Sequence, residues 1–143
     1  MPPRENAGGA APIDLAVRAL ALRDRSTAEL EERLARRGVG ETERKQTLAT
    51  LERIGYVDDE RFARTRAEQL AARGSGDALI RHDLETRGLA AQVVETALAE
   101  LEPERERAAR IVARRGRSLK TARFLASRGF GEDAREGVVA REE

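Results

Sequence analysis

The feature that most constrains the fold of this 143-residue chain is a six-residue pattern that occurs three times. Each copy reads Leu-x-x-Arg-Gly followed by an apolar residue, and the copies begin at Leu34, Leu84 and Leu125. The copies are offset by 50 and 41 residues, and other apolar positions repeat with them. Repetition at periods of this length is typical of arrays of small helical modules.

The glycine of each copy has a physical explanation at the end of a helix. If Gly38, Gly88 and Gly129 lie just past a helix in the left-handed conformation, the leucine falls in the last turn of that helix. The leucine and the apolar residue after the glycine then touch across the turn, which is the Schellman arrangement. A Cβ atom disfavours this backbone, so glycine is preferred. We therefore expect these three glycines to be structural.

Signals for helix starts complete the predicted repeats. Ser26 with Glu29 predicts a capping box, and Asp58 predicts the N-cap of a later helix. We expect a disordered leader over residues 1–12, followed by three-helix repeats over 13–57, 58–103 and 104–143. The predicted helices cover residues 14–24, 27–37, 42–54, 59–73, 77–87, 91–102, 104–115, 119–128 and 132–141.

Composition supports a helical fold and excludes several classes of protein. Aromatic residues make up only 3% of the chain, which argues against a β-sandwich or barrel. Cysteine is absent, so disulfides and thiolate metal sites are excluded. No apolar run approaches the roughly 18 residues that a membrane span needs, and no signal peptide is apparent. The expected location is cytoplasmic, without a membrane contact.

No arrangement of residues typical of an enzyme is present. His82, the only histidine, lies in a predicted helix without a metal-binding neighbour. Asp58, Asp59 and Glu60 fit a helix start better than a metal site, because the helix dipole favours carboxylates there. Glycine-rich phosphate loops and nucleophile elbows are absent. We expect no enzymatic activity, no cofactor and no metal.

Positive charge is concentrated near one end of the chain. The formal net charge is +1, yet residues 105–128 contain nine basic residues and one acidic residue, Glu106. Arginine side chains make bidentate contacts to phosphates and carboxylates, so this segment predicts a surface for an anionic partner. Ordinary solvation of charged helices is the alternative interpretation. The candidate residues are Arg107, Arg110, Arg114, Arg117, Lys120 and Arg123.

The residue patterns leave two binding functions open. Helices joined by tight turns are compatible with a helix-turn-helix DNA-binding module. A protein scaffold without nucleic-acid contact is the other possibility. Aromatic residues are too few to predict stacking on single-stranded bases. No pattern predicts a coiled coil, so we expect a monomer.

Two segments resemble signature sequences of the RecX family. Residues 20–34, LALRDRSTAELEERL, are similar to the signature of the first RecX repeat. Residues 55–63, GYVDDERFA, resemble the family segment Gly-Tyr-Leu-Asp-Asp-x-Arg-Phe-Ala. The resemblance extends over about residues 14–140.

RecX proteins regulate the bacterial RecA recombinase in DNA repair, recombination and the SOS response. The resemblance implies an all-α, elongated and curved array of three three-helix repeats. It also implies binding in the groove of the RecA–DNA filament and inhibition of RecA's ATPase, strand-exchange and co-protease activities. Direct contact with DNA is left open. We interpret the residues of the family segment first as the structural start of the middle repeat, and only second as contacts with a partner. These residues are Tyr56, Asp58, Asp59, Arg61 and Phe62.

Overall fold

The structure, a computed structural model, describes residues 11–138, and every regular element in that range is α-helical. The expected all-α class is confirmed. The helices in the described range are α1 (Pro12–Leu22), α2 (Thr27–Arg36), α3 (Glu41–Arg53), α4 (Asp59–Ala72), α5 (Asp77–Thr86), α6 (Ala91–Ala99), α7 (Glu104–Arg115), α8 (Leu119–Ser127) and α9 (Glu132–Arg135).

The first helix begins earlier than predicted. Pro12, which the sequence analysis assigned to the leader, is the first residue of α1, and Ala11 is its N-cap. Proline is favoured at this position because its φ is already helical and its missing N–H needs no partner in the first turn. Residues 1–10 of the expected leader lie outside the described residues.

The end of α2 has the predicted glycine turn. The Val39 amide donates to the Leu34 carbonyl at 3.0 Å, and the Gly38 amide donates to the Ala35 carbonyl at 3.0 Å. Gly38 has a φ of 84°, and both Leu34 and Val39 are buried. The left-handed glycine thus reverses the chain while the two apolar side chains enter the core. Positive φ values of 78° and 88° occur at Gly88 and Gly129.

A further copy of the turn, which is not predicted from the sequence, ends α4. The Ser75 amide donates to the Leu70 carbonyl at 3.0 Å, and Gly74 has a φ of 89°. The segment Leu70–Ser75 follows the repeated pattern except at its last position. Ser75 is nevertheless buried, so a polar residue takes the place of the apolar one.

The described chain forms two compact units whose limits differ from those of the repeats. One unit contains the described chain up to Phe62 together with Arg87–Leu89. The other contains Ala63–Thr86 together with the described chain from Ala90 onward. The first four residues of α4 and the turn after α5 thus belong to the first unit. The division into three repeats stays a prediction.

The core of the first unit is built from α1, α2 and α3. Each helix contributes apolar residues at three- and four-residue spacing, which is the spacing of one helix face. Val39 and Val57, which follow α2 and α3, complete the cluster. The buried helical residues are Leu15, Ala16, Ala19, Leu30, Leu34, Thr47, Leu48 and Leu51.

The turn Arg87–Leu89 packs against the start of α2 within the first unit. Ser26 is the N-cap of α2 and forms the predicted capping box with Glu29. Its hydroxyl also donates to the Arg87 carbonyl at 2.6 Å. A Cβ atom on Gly88 would overlap the Cβ of Ala28, so the turn approaches the helix too closely for any other residue. We call this contact the first junction.

The second unit contains an equivalent contact, which we call the second junction. The Gly76 amide donates to the Arg128 carbonyl at 2.7 Å, and the Ala78 amide donates to the Gly129 carbonyl at 3.2 Å. A Cβ atom on Gly129 would lie 2.7 Å from the Leu79 nitrogen. In the second junction, the turn after α8 therefore contacts the start of α5. In the first junction, the turn after α5 contacts the start of α2 in the same way.

The last described helix is shorter than predicted. Residues 132–141 were expected to be helical, but α9 ends at Arg135. Gly137 has a φ of 77°, and Val138 is buried beside Ala134 in a core cluster of the second unit. The chain thus leaves the helix to bury Val138. Residues 139–141 of the predicted helix lie outside the described residues.

Candidate anionic-partner surface

The predicted basic residues lie on α7, on α8 and on the connection between them. Ser118 caps α8 by accepting a hydrogen bond from the Thr121 amide at 3.1 Å. The cap fixes where α8 begins. Lys120 and Arg123 therefore lie on the helix, and Arg117 lies on the connection before it. Five of the six candidates are exposed, namely Arg110, Arg114, Arg117, Lys120 and Arg123.

Arg107 is the exception, and its predicted place on the exposed face is wrong. Only 8% of the residue is accessible, and its guanidinium forms an ion pair with Asp77. The guanidinium also donates to the carbonyls of Ser75 and Glu102, each at 2.9 Å. Arg107 lies on the side of α7 that carries the buried Ala108. Its charge is therefore used inside the second unit and is not available to a partner.

Acidic side chains complete the polar cluster around Arg107. Glu104 accepts hydrogen bonds from the amides of Asp77 and Gly131, each at 2.7 Å, so one carboxylate caps the starts of α5 and α9. Burial raises the pKa of the Asp77 carboxyl above its ordinary 3.8, Arg107 opposes this shift, and Glu104 adds to it. The cluster is structural, because it connects three helices of the second unit.

Four candidate residues form no ion pair with another described residue. Arg110 is exposed but pairs with Glu102. No carboxylate of the described residues lies within 4 Å of the other four side chains. We call these four residues the basic surface: Arg114, Arg117, Lys120 and Arg123.

Two neighbours distinguish the basic surface from a simple row of charges. Leu119, between Arg117 and Lys120 in the sequence, is 54% exposed. Phe124 is partly buried, and the Arg115 guanidinium lies 3.7 Å from its ring centroid as a cation–π contact. Arg115 is thus engaged with Phe124, whereas Leu119 presents an apolar side chain among the charges. No sequence pattern singles out either neighbour.

The family segment is mainly engaged in local structure. Asp58 caps α4 by accepting from the Arg61 amide at 3.1 Å. Asp59 accepts from the Thr27 amide at 2.8 Å and therefore holds the start of α2. The Arg87 guanidinium lies 5.9 Å from the ring centroid of Phe62. Tyr56 is 54% exposed, so its side chain is available to a partner.

The described residues contain no group of three or more potential metal ligands. His82 is exposed on α5. Within residues 11–138, no helix is long and apolar enough to cross a membrane.

Two family models match the chain. The first three-helix domain of RecX matches residues 13–51, which cover all but the first residue of α1, all of α2 and most of α3. The second three-helix domain of RecX matches residues 58–98, which cover α4, α5 and nearly all of α6. Each model thus falls within one predicted repeat.

Individual proteins agree with the family models. Regulatory protein RecX of Halorhodospira halophila is 33% identical over 137 residues, 89% of this chain and 85% of the relative. Regulatory protein RecX of Chromohalobacter salexigens is 39% identical over 130 residues, 85% of this chain and 86% of the relative. The crystal structure of RecX from Lactobacillus salivarius has a TM-score of 0.77 at 18% identity, covering 89% of this chain and 91% of that one. The chain therefore belongs to the RecX family.

Proposed function

We propose that this protein regulates the RecA recombinase by binding the RecA–DNA filament and inhibiting its ATPase, strand-exchange and co-protease activities. Membership of the RecX family carries the proposal, because the similar proteins are named regulatory proteins and cover most of the chain. The protein would act as a monomer in the cytoplasm, in DNA repair and recombination and in the SOS response.

The basic surface supports this proposal with a chemically suitable contact. Its four cations have no carboxylate partner among the described residues, so they are free to bind phosphates or an acidic protein surface. The exposed Leu119 favours a protein surface over phosphates alone, because an apolar side chain contributes little beside a phosphate backbone. We assign this surface to the filament, with RecA as the principal contact.

Inhibition of this kind needs no catalytic residue in the regulator. A protein bound to a filament obstructs the addition of subunits or the motion of neighbouring subunits. The regulator accordingly needs only a stable scaffold that holds the residues of the basic surface in a fixed arrangement. The hydrogen-bonded turns and helix caps of the second unit support that geometry.

The direct test is RecA ATP hydrolysis on single-stranded DNA with substoichiometric amounts of this protein. We expect inhibition that weakens as salt is raised, because exposed charges are screened. Full ATPase activity at low salt would refute the proposal. A specific footprint on duplex DNA without RecA would instead support a helix-turn-helix module.

A further inference from the structure

The first unit contains a second cationic feature, which lies outside the predicted basic segment. A cavity of about 230 Å³ opens between α1 and α2. Its floor consists of core residues that expose almost no surface, since Leu30 and Leu34 are 0% and 1% accessible. Its rim consists of three arginines, one from α1 and two from the last turn and C-cap of α2: Arg18, Arg33 and Arg37.

The neighbouring carboxylates of α2 do not neutralise these arginines. Glu32 pairs with Arg36, and Glu31 lies 3.8 Å from Arg44. Glu29 pairs with Arg23 and Arg87. Each acidic side chain of α2 thus has a basic partner that does not line the cavity.

The three rim arginines have no ion pair of their own within residues 11–138. Asp14, one helical turn before Arg18, is not within 4 Å of its guanidinium. The pKa of the nearby Arg25 is lowered by burial, and the charges of Arg23 and Arg33 lower it further. Arg33 therefore lies close enough to Arg25 for their positive charges to interact, and Glu29 offsets only part of the positive charge around Arg25.

The chemistry of the rim selects a class of ligand. Arginine remains charged at any physiological pH and donates hydrogen bonds in a planar fork that matches phosphate and carboxylate oxygens. The three guanidinium groups carry three positive charges around one opening, and a single carboxylate neutralises only one of them. A phosphate monoester carries about two negative charges, and so do two adjacent phosphodiesters, so phosphate matches the charge of the rim better. The buried floor offers little apolar surface, so recognition depends on charge and not on a base.

We propose that the cavity rimmed by Arg18, Arg33 and Arg37 is a phosphate-binding site. Its phosphate would come from the backbone of a nucleic-acid strand or from the terminal groups of a nucleotide. The site is separate in sequence from the basic surface of α7 and α8. The proposal holds whether or not the protein acts on RecA, because it concerns a ligand that the first unit binds by itself.

The test uses the full chain and two phosphate probes. Inorganic pyrophosphate represents free terminal phosphates, and fluorescein-labelled single-stranded oligothymidine represents a backbone. Pyrophosphate is titrated at constant ionic strength while the side-chain Nε–H signals of the arginines are followed by NMR. We expect saturable shifts at Arg33 and Arg37. A poly-glutamate peptide of the same total charge should not produce them.

Neutral variants identify the residues responsible. We expect Arg33→Gln and Arg37→Gln each to weaken pyrophosphate binding by roughly fivefold or more, because each removes a charge-assisted hydrogen bond. Arg36→Gln is the matched control, since Arg36 lies on the same helix, is exposed and does not line the cavity. Circular dichroism checks that all three variants keep their helix content.

The binding results distinguish a backbone phosphate from a terminal phosphate and test whether the site exists. Loss of oligothymidine binding in Arg33→Gln and Arg37→Gln supports a backbone phosphate. Pyrophosphate binding without oligothymidine binding supports terminal phosphates. Equal losses of pyrophosphate affinity in all three variants would show that binding depends only on the overall positive charge. That result would overturn the proposal. Absence of shifts, or equal shifts with poly-glutamate, would also overturn it.

Discussion

The hydroxyl of Ser26 donates a 2.6 Å hydrogen bond to the backbone carbonyl of Arg87, 61 residues further along the chain. The same oxygen accepts a hydrogen bond from the Glu29 amide at 3.1 Å. Ser26 is fully buried, so water does not replace either bond. One small side chain therefore caps α2 and fixes the turn Arg87–Leu89 within the first unit.

Replacing Ser26 by alanine should lower the free energy of unfolding by about 2–3 kcal/mol. The variant loses a helix cap and the hydrogen bond from the Ser26 hydroxyl to the Arg87 carbonyl. Urea denaturation measures the change. Ser118→Ala is the matched control, because Ser118 caps α8 through bonds to Thr121 alone, and we expect it to cost about 1 kcal/mol. Equal losses would contradict the junction role of Ser26.

Two glycine variants should separate backbone strain from steric overlap. Gly38 and Gly88 have φ values of 84° and 78°, so alanine is strained at both positions by about 1 kcal/mol. A Cβ atom on Gly38 meets open space, whereas one on Gly88 overlaps Ala28. We expect Gly88→Ala to lower the melting temperature clearly more than Gly38→Ala. The reverse order would mean that the first junction is not close-packed.

Removing the buried arginine should cost far more than removing its exposed neighbour. Arg107→Met removes the donor that Asp77, the buried Ser75 carbonyl and the Glu102 carbonyl share, and we expect a loss of about 2–4 kcal/mol. Arg110→Met breaks an exposed pair and should cost no more than about 0.5 kcal/mol. Chemical denaturation of both variants tests the difference, and similar values would show that Arg107 is a surface residue.

The Asp77 carboxyl should give a pH dependence opposite in sign to that of most ion-paired carboxylates. Folding raises its pKa, chiefly through burial, so the folded state binds the proton more tightly than the unfolded state does. Its contribution to stability is complete below the ordinary pKa of 3.8 and is lost as the pH rises through the folded pKa. The destabilisation caused by Asp77→Asn should therefore shrink as the pH rises. Urea denaturation from pH about 4 to about 7 measures it, and a destabilisation that grows with pH would show that Arg107 outweighs burial.

Reversing charge on the basic surface should weaken inhibition of RecA without unfolding the protein. For the double variant Lys120→Glu, Arg123→Glu, we expect the half-inhibitory concentration in the ATPase assay to rise at least about tenfold. The control is the double variant Arg53→Glu, Arg64→Glu, which reverses two exposed arginines elsewhere. Unchanged inhibition in Lys120→Glu, Arg123→Glu, with helicity intact, would remove this surface from the proposed contact.

Local signals allowed much of the fold to be predicted. The glycine turn at Gly38 and the capping box of Ser26 each depend on residues within a few positions, so their sequence patterns were sufficient. The turn at Gly74 was missed because Ser75 is polar, although it is buried like the apolar residue of the other copies. The early end of α9 was missed because burial of Val138 depends on tertiary packing.

The candidate site was harder to predict because burial of a long charged side chain depends on distant partners. Arg107 and Arg110 are three residues apart, which is compatible with one exposed face. The partners that bury Arg107, Ser75 and Asp77, lie about thirty positions earlier in the sequence. The cavity rimmed by Arg18, Arg33 and Arg37 combines residues of two helices, so no contiguous motif announces it.

The second junction is made by main-chain groups, since the amides of Gly76 and Ala78 bond to the carbonyls of Arg128 and Gly129. A contact of this kind tolerates almost any change in the outward-facing residues of α8, provided that the glycines are kept. Lys120 and Arg123 are thus open to replacement without loss of the scaffold. Such a module is well suited to acquiring a new binding specificity, by nature or by engineering.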